Sequence, residues 1–329
     1  MLRVRNVKDV TDFVGPEDPD DYPAIVAELW ASGPSRPEWC FVLEDGSRRL
    51  GRIGFQVSPT TSDPRWLGSL PPEELSPFGL DLPWDDDYLD AGRRLFTEAA
   101  ATLDGAVPEV LEVRVLNEIH DHPDARCLLA EEVGMSMFSE KQGFEWVDDG
   151  IPVAEPGRLV SRSVTDIGLD AYRAVMAACG SGTLDRNDHY YWEGCGADNW
   201  AMQMTEYLDP ADASMWLVGY ANDVPVGYMA IARDEEWEST IVHVGVLPDQ
   251  RGNGYIHDLL AAGTAAVQRS GITAMLSDVD VLNRPMLDAM RWAGHQPDRR
   301  PWHVWAYRPT IPDLISPNGN RPFHDPFCS

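Results

Sequence analysis

The sequence predicts an α/β protein built from two successive copies of one plan. Three observations carry the prediction. In IVHVGVLPDQRGNGYIHDLL (Ile241 to Leu260) an apolar run breaks at Pro248 into an Arg/Gly turn and then resumes at helical spacing. In SMWLVGYANDVPVGYMAIAR (Ser214 to Arg233) two strand-like runs flank Asn222-Asp223, the pattern of a hairpin. The first half repeats a strand, a turn and a helix more faintly, and internal duplication explains the repetition.

At 329 residues and 43% hydrophobic, the chain suffices for about two domains of ordinary size, each with its own core. The N-terminal MLRVRNVKDVTDF alternates apolar and charged residues and lacks the apolar segment and cleavage site of a secretory signal. No stretch reaches transmembrane length, so a cytoplasmic location is expected. RRLGRIGFQV (Arg48 to Val57) reads as a strand, and GLDLPWDDDYLDAGRRLFTEAAATL (Gly79 to Leu103) stands where the second copy has its turn and helix. Pro156 and Gly157 interrupt the pattern before the strand-like LVSRSV (Leu159 to Val164). The first domain is therefore expected over 1–157, the second over 158–308, and a Pro- and Asn-rich tail over 309–329.

The turn after Val246 carries the most specific chemistry. Gly252 and Gly254 let the backbone turn with little side chain in the way, leaving successive N–H groups free at the start of the following helix. Those donors suit a pyrophosphate, and Arg251 adds positive charge and a planar fork of donors. Ile256, Leu259, Leu260, Gly263 and Val267 keep the helical spacing of a buried face.

This segment resembles the GNAT acyltransferase superfamily, whose pattern is V-x-P followed by R/Q-x-x-G-x-G/A. The chain supplies Val246, Pro248, Arg251 and Gly254, and departs from the pattern with Ile256. Downstream, NRPMLDAMRWAGH resembles the family's later helix: Asn283 and Gly294 match, whereas Met290 stands for the usual Tyr and His295 for the usual Phe. The resemblance covers about residues 160–308 and implies two tandem GNAT-like domains, each a mixed α+β sheet with flanking helices. It also implies acetyl-CoA or another acyl-CoA as cosubstrate, held by Val244, Val246, Arg251, Gly252, Asn253, Gly254, Tyr255, Ile256 and Asn283, with no metal. The pantetheine arm would lie along the motif strand as an added strand, its thioester carbonyl polarised by amides near Val244 to Val246.

By the same resemblance, Leu82-Pro83 in the first copy matches the V-x-P strand end, but Trp84 and three carboxylates, Asp85, Asp86 and Asp87, replace the phosphate loop. MFSEKQGFEWV (Met137 to Val147) ends like the later helix, with Phe138 at the Tyr position. The first copy is thus read as a degenerate, noncatalytic lobe.

An amine must be neutral to attack a thioester, so a base or water chain is required nearby. The family's Glu falls at Thr240; Glu238, two residues earlier and on the same face, is the first choice of base. Asp278 and Asp280 share a face of the next strand, where they either attract an acceptor ammonium or bind backbone and Arg groups. His243 is expected on the face opposite Thr240, as an interior histidine. Asp185 to Glu193, with neighbouring Trp200 and Tyr207, mixes aromatic and acidic residues, either as an acceptor surface or as core packing with solvated acids. His120-Asp121-His122 reads as a surface loop. With Met290 at the Tyr position no acid is assigned, since a thiol of pKa about 8.5 departs as thiolate.

A net charge of −28 disfavours nucleic acid and anionic membranes and would draw in a cationic acceptor, although Arg so outnumbers Lys that a generally acidic surface accounts for it equally. Five scattered cysteines without a C-x-x-C give neither a disulfide framework nor a zinc site. The expected function is acyl transfer from acyl-CoA to a primary amine of a small, cationic molecule, by direct attack in a ternary complex. The sequence also admits a homodimer, dependence on an acyl-carrier protein or aminoacyl-tRNA, and noncatalytic acyl-CoA binding.

Overall fold

In a computed structural model, the structure describes residues 2–16, 18–32, 35–57, 75–84, 88–103, 111–115, 122–134, 136–154, 157–206, 210–297 and 302–307. Two compact units emerge: residues 1–138 with 303–329, and residues 139–302. Among the described residues no helix is long and apolar enough to cross a membrane.

The first unit comprises β1 (Leu2–Asn6), α1 (Val10–Phe13), α2 (Tyr22–Ser32), β2 (Ser35–Asp45), β3 (Arg48–Val57), β4 (Leu75–Asp81), α3 (Tyr88–Leu103), β5 (Leu111–Val115) and α4 (Pro123–Glu132). β6 (Ser136–Val147) then passes into the second unit. Alternation along β2 and β3 sends Phe41, Leu43, Ile53 and Phe55 to one face, under Leu95 and Phe96 of α3, and Cys40 and Val42 to the other, under Phe13 and Val26. Burying side chains of this size is worth about 1.5–3 kcal/mol each, so a one-residue slip is strongly disfavoured.

The second unit continues with β7 (Val160–Ser163), α5 (Val164–Ile167), α6 (Leu169–Gly180), α7 (Arg186–Cys195), α8 (Ala197–Glu206), β8 (Leu217–Ala221), β9 (Val224–Arg233), β10 (Glu238–Val246), α9 (Tyr255–Arg269), β11 (Ala274–Asp280), α10 (Arg284–Trp292) and β12 (Gln296–Pro297); β13 (Trp302–Tyr307) follows. The β8/β9 hairpin turns at Asn222 and Asp223, with φ of 50° and 63°, as a tight two-residue turn requires. One face of this sheet packs Met229, Ile231, Ile241 and Met275 against Leu260 and Val267 of α9 and Leu287 and Met290 of α10. α9 approaches closely because Gly263 has no Cβ to collide with Met229. α6 approaches the other face: the hydroxyl of Tyr172 donates to the Met229 carbonyl at 3.0 Å.

The two units repeat one strand order, β1-β2-β3-β4-β5-β13 in the first and β7-β8-β9-β10-β11-β6 in the second. The final strand of each comes from the other half of the sequence. This differs from a boundary at 157/158, because β6 pairs with β11 from Lys141↔Asp280 to Val147↔Ala274 and carries residues 139–147 into the second unit. β13 pairs with β5, so residues 303–307 belong to the first unit and not to a domain over 158–308. The expected helix end at Met137 to Val147 is likewise a strand. The helix lies earlier, as α4, and Gly134 at φ 88° follows its end; fully buried Phe144 and half-buried Trp146 then alternate along β6. Asp85 to Asp87, His120, Asp121, Tyr207 and the tail 309–329 lie outside the described residues, as do the side chains of Phe138, Tyr190 and Tyr191.

Candidate active site

The geometry of β10 sets the site. It pairs with β9 along most of its length but with β11 only from Glu238↔Ala274 to Thr240↔Leu276. Beyond those three pairs, β10 runs on to Val246 and β11 to Asp280 without partnering each other, so the parallel strands splay into a wedge. The edge of β10 facing the wedge, Val244 to Val246 included, has no strand partner among the described residues and can pair with another extended chain except at the Val246 carbonyl, which accepts from Arg251. A register shift accompanies the splay: Thr240 opposes Ala232 and Ile241 opposes Ile231, yet His243 opposes Ala230. The extra residue, Val242, makes a β-bulge and moves every following side chain to the other face. His243 therefore shares Thr240's face, contrary to strict alternation.

At the end of β10, Pro248–Gln250 forms a single 3-10 turn, Gly252 adopts φ 81°, and Gly254 caps α9 at φ 75°. Among the described residues, the amides of Gly252, Asn253, Gly254, Tyr255 and Ile256 donate to no protein acceptor. Five free donors at the positive end of a 15-residue helix make an anion cradle. A Cβ at Gly252 would meet nothing within 4 Å, which leaves the approach open. Ile256 packs its side chain against the core, so its departure from Gly or Ala is absorbed by the apolar side of the helix.

The charge at this turn is arranged differently from the sequence-based expectation. Arg251 turns back on the protein: Nε donates to the Val246 carbonyl at 3.1 Å, Nη1 to Gly182 at 3.0 Å, and Nη2 to Cys179 at 2.9 Å and Ser181 at 2.7 Å. Its fork of donors ties the C-terminal carbonyls of α6 to the turn and complements that helix's negative end. Arg158, which sequence reasoning missed, supplies the other cation. It donates to the carbonyls of Asn253 at 3.2 Å and Gly254 at 3.3 Å, lies 5.4 Å over the Tyr255 ring, and pairs with the buried carboxylate of Asp258. No local pattern marks Arg158, because its partners lie about a hundred residues further along the chain. Asn283, expected to touch the cosubstrate, uses its side-chain oxygen to accept from the Met286 amide at 3.3 Å and so caps α10.

The first turn of α7 is tied to three strands across the wedge. Asp185 pairs with Lys141 of β6. Arg186 grips Asp280 of β11, with Nε at 2.8 Å and Nη2 at 3.1 Å. Asp188 faces His243 of β10, its oxygen 3.6 Å from Nδ1. Burial alone would raise the Asp188 carboxyl, but the facing imidazole and Lys141 outweigh it and hold the group below the ordinary carboxylate range. Trp200 of α8, almost fully buried, meets the His243 ring edge to face at 5.6 Å.

These contacts redistribute the expected catalytic residues. Asp280 is fully buried and also accepts from the Leu282 amide at 2.9 Å, so it anchors α7 and has no carboxylate free for an acceptor. Asp278, on the same face by alternation, is exposed and opposes Gly143 of β6. Glu238 sits at the closed, paired end of the wedge, roughly 20 Å along the strand from Val244 at about 3.3 Å per residue. Thr240 donates its hydroxyl to Asp234. Met290 is buried in the core, and the imidazole of His295 is fully buried with neither nitrogen hydrogen-bonded.

Comparison with known proteins agrees with this geometry. Residues 182–294 match the acetyltransferase (GNAT) family model. No curated protein matches the chain. Among solved structures, a GCN5-related N-acetyltransferase from Sphaerobacter thermophilus is similar at a TM-score of 0.60 and 16% identity, over 94% of this chain and 97% of that one. A tandem GNAT protein from the clavulanic acid biosynthesis pathway, solved without AcCoA, is similar at a TM-score of 0.51 and 12% identity, over 93% and 98% of the two chains. A glucosamine N-acetyltransferase region of a fungal multidomain GH3 beta-N-acetylglucosaminidase is similar at a TM-score of 0.55 and 11% identity, over 93% of this chain and 38% of that one. The fold is that of the GNAT acyltransferases, and residues 182–294 carry the family's acetyltransferase pattern, which supports acyl transfer in general.

Proposed function

We propose that this protein moves an acetyl or other acyl group from CoA to a primary amine of a small, cationic molecule. The observation that carries the reading is the run of free amides from Gly252 to Ile256 at the N-terminus of α9, next to the unpaired edge of β10. The amides and Arg158 would hold the pyrophosphate, and the Val244 to Val246 edge would hold the pantetheine and polarise the thioester carbonyl. The acceptor amine would enter on the face covered by α7 and α8, where the partly exposed Asp188 favours a cation. Attack on the carbonyl carbon forms the C–N bond and expels CoA as thiolate; the amine's surplus proton leaves to a base. The first unit is read as a noncatalytic lobe, and the place of action as the cytoplasm.

Calorimetric titration with acetyl-CoA tests the reading. One site per chain is expected, lost in Gly254→Asp and largely kept in Gly254→Asn. Both substitutions tolerate positive φ better than other side chains, and a Cβ there meets its nearest neighbours at 3.7 and 3.8 Å, so the pair differs chiefly in charge. Equal binding by both variants, or no binding at millimolar acetyl-CoA, would sink the cradle and turn attention to a carrier-bound donor. Binding without thioester turnover would leave a noncatalytic acyl-CoA-binding protein.

A further inference from the structure

We infer that His243, oriented by Asp188, is the general base that takes the proton from the attacking amine; the inference rests on the acyl-transfer reading above. Three features place it. The β-bulge at Val242 turns His243 onto the face of β10 that meets α7 and α8, one residue from the Val244 amide at the open edge. Its Nδ1 points to the Asp188 carboxylate at 3.6 Å, while the Trp200 indole meets the ring edge to face and restricts its rotation. Its Nε2 makes no hydrogen bond among the described residues and is not sealed in the interior, since the side chain keeps 14% of its exposure.

The neighbouring groups make the arrangement directional. Asp188 is held in place because the residues around it on α7 are pinned, Arg186 to Asp280 and Asp185 to Lys141. The titratable groups facing the pair are Asp185 from α7, Lys141 from β6 and Tyr228 from β9, and α8 contributes the uncharged Trp200. A carboxylate behind Nδ1 selects the tautomer with its proton on Nδ1, leaving the Nε2 lone pair free, and stabilises the imidazolium once Nε2 is protonated. In the reaction the amine nitrogen bonds to the thioester carbon, its proton passes to Nε2, and the C–S bond breaks with its electron pair on sulfur. The imidazolium then returns the proton to the thiolate or to water. Two of the sequence-based candidates are poorly placed, since Asp280 is saturated by Arg186 and Glu238 lies at the closed end of the wedge, and Met290 carries no proton.

The test compares wild type, His243→Gln and Asp188→Asn. Acetyl-CoA binding is measured by calorimetry, thiol release with acetyl-CoA and spermidine, glucosamine or kanamycin as probe amines, and the His243 tautomer by NMR. His243→Gln should bind acetyl-CoA as wild type does, yet lose about 10²-fold or more in kcat along with the acid limb of the pH–rate profile. Asp188→Asn should keep acetyl-CoA binding, lower kcat about tenfold or more and reduce the population of the Nδ1–H tautomer of His243. A His243→Gln rate within threefold of wild type, or a His243 tautomer and a rate both unchanged in Asp188→Asn, overturns the assignment. Thiol release absent in wild type with every amine, despite acetyl-CoA binding, overturns it as well. Failure of wild type to bind acetyl-CoA overturns the functional reading instead, while the NMR tautomer still decides whether the pair exists.

Discussion

The turn after β4 and the turn after β10 follow equivalent strands in the two units and are built differently. After β10, two glycines at positive φ leave backbone amides exposed, and the charged side chains reach the turn from its rim. After β4, the residue at positive φ among those described is Trp84, at 41°, and its ring is engaged in side-chain contacts. It stacks on His122 at 5.8 Å, leans on Tyr88 at 5.4 Å and receives the Arg126 guanidinium at 4.6 Å. The contrast teaches that the strand order alone does not make a site. What matters is whether the residues at left-handed φ carry side chains, because a backbone cradle exists only where nothing covers it.

The comparison can be broken by exchanging the two solutions. Gly254→Trp, which copies the first turn into the second, should abolish acetyl-CoA binding, a loss of at least about 10²-fold by calorimetry, and with it any turnover. Asp280→Ala should act on the fold: it leaves Arg186 without its buried partner and should cost about 3 kcal/mol in urea denaturation. Normal stability in that variant would return Asp280 to the candidates for acceptor binding. The converse exchange, Trp84→Gly, should lower stability by about 2 kcal/mol through lost ring contacts while the acetyl-CoA stoichiometry stays at one. A second site appearing in that variant would show that the first turn is merely covered and not dismantled.

A smaller effect sharpens the contrast by showing that the second unit's acid sensitivity resides away from its turn. Burial pushes His295 down to about 4. Its folded-state affinity for a proton is thus below that of the unfolded chain, so its contribution is intact above about pH 6.5 and is lost progressively as pH falls toward 4. At pH 5 the penalty is about 2 kcal/mol by this linkage. His295→Phe should flatten the pH dependence of stability between pH 6.5 and 4, measured by thermal denaturation, without changing acetyl-CoA affinity at pH 7.5.

Much of the second unit was legible in the sequence because its signals are local. Asn222-Asp223 between apolar runs gave the hairpin, and Pro248 with Gly252 and Gly254 gave the turn into α9, since backbone sterics at those positions leave few alternatives. The candidate catalytic residues were less legible. Counting by twos put His243 on the wrong face, because a bulge inserts one residue and leaves no mark in composition. Arg251 looked like a phosphate ligand until α6 presented its carbonyls, and Arg158 had no signal until the chain folded back over Gly254.

By itself the sequence carried the fold class and the duplicated plan, through its strand and helix patterns and the family resemblance of its motifs, and the strand–turn–helix at Gly252 and Gly254, which follows from glycine's conformational freedom within a few residues. Only the tertiary structure decided which strand completes each sheet, which arginine serves the turn, and which imidazole meets a carboxylate. Those outcomes depend on contacts between segments tens to more than a hundred residues apart, where burial and pairing of charges outweigh any local preference.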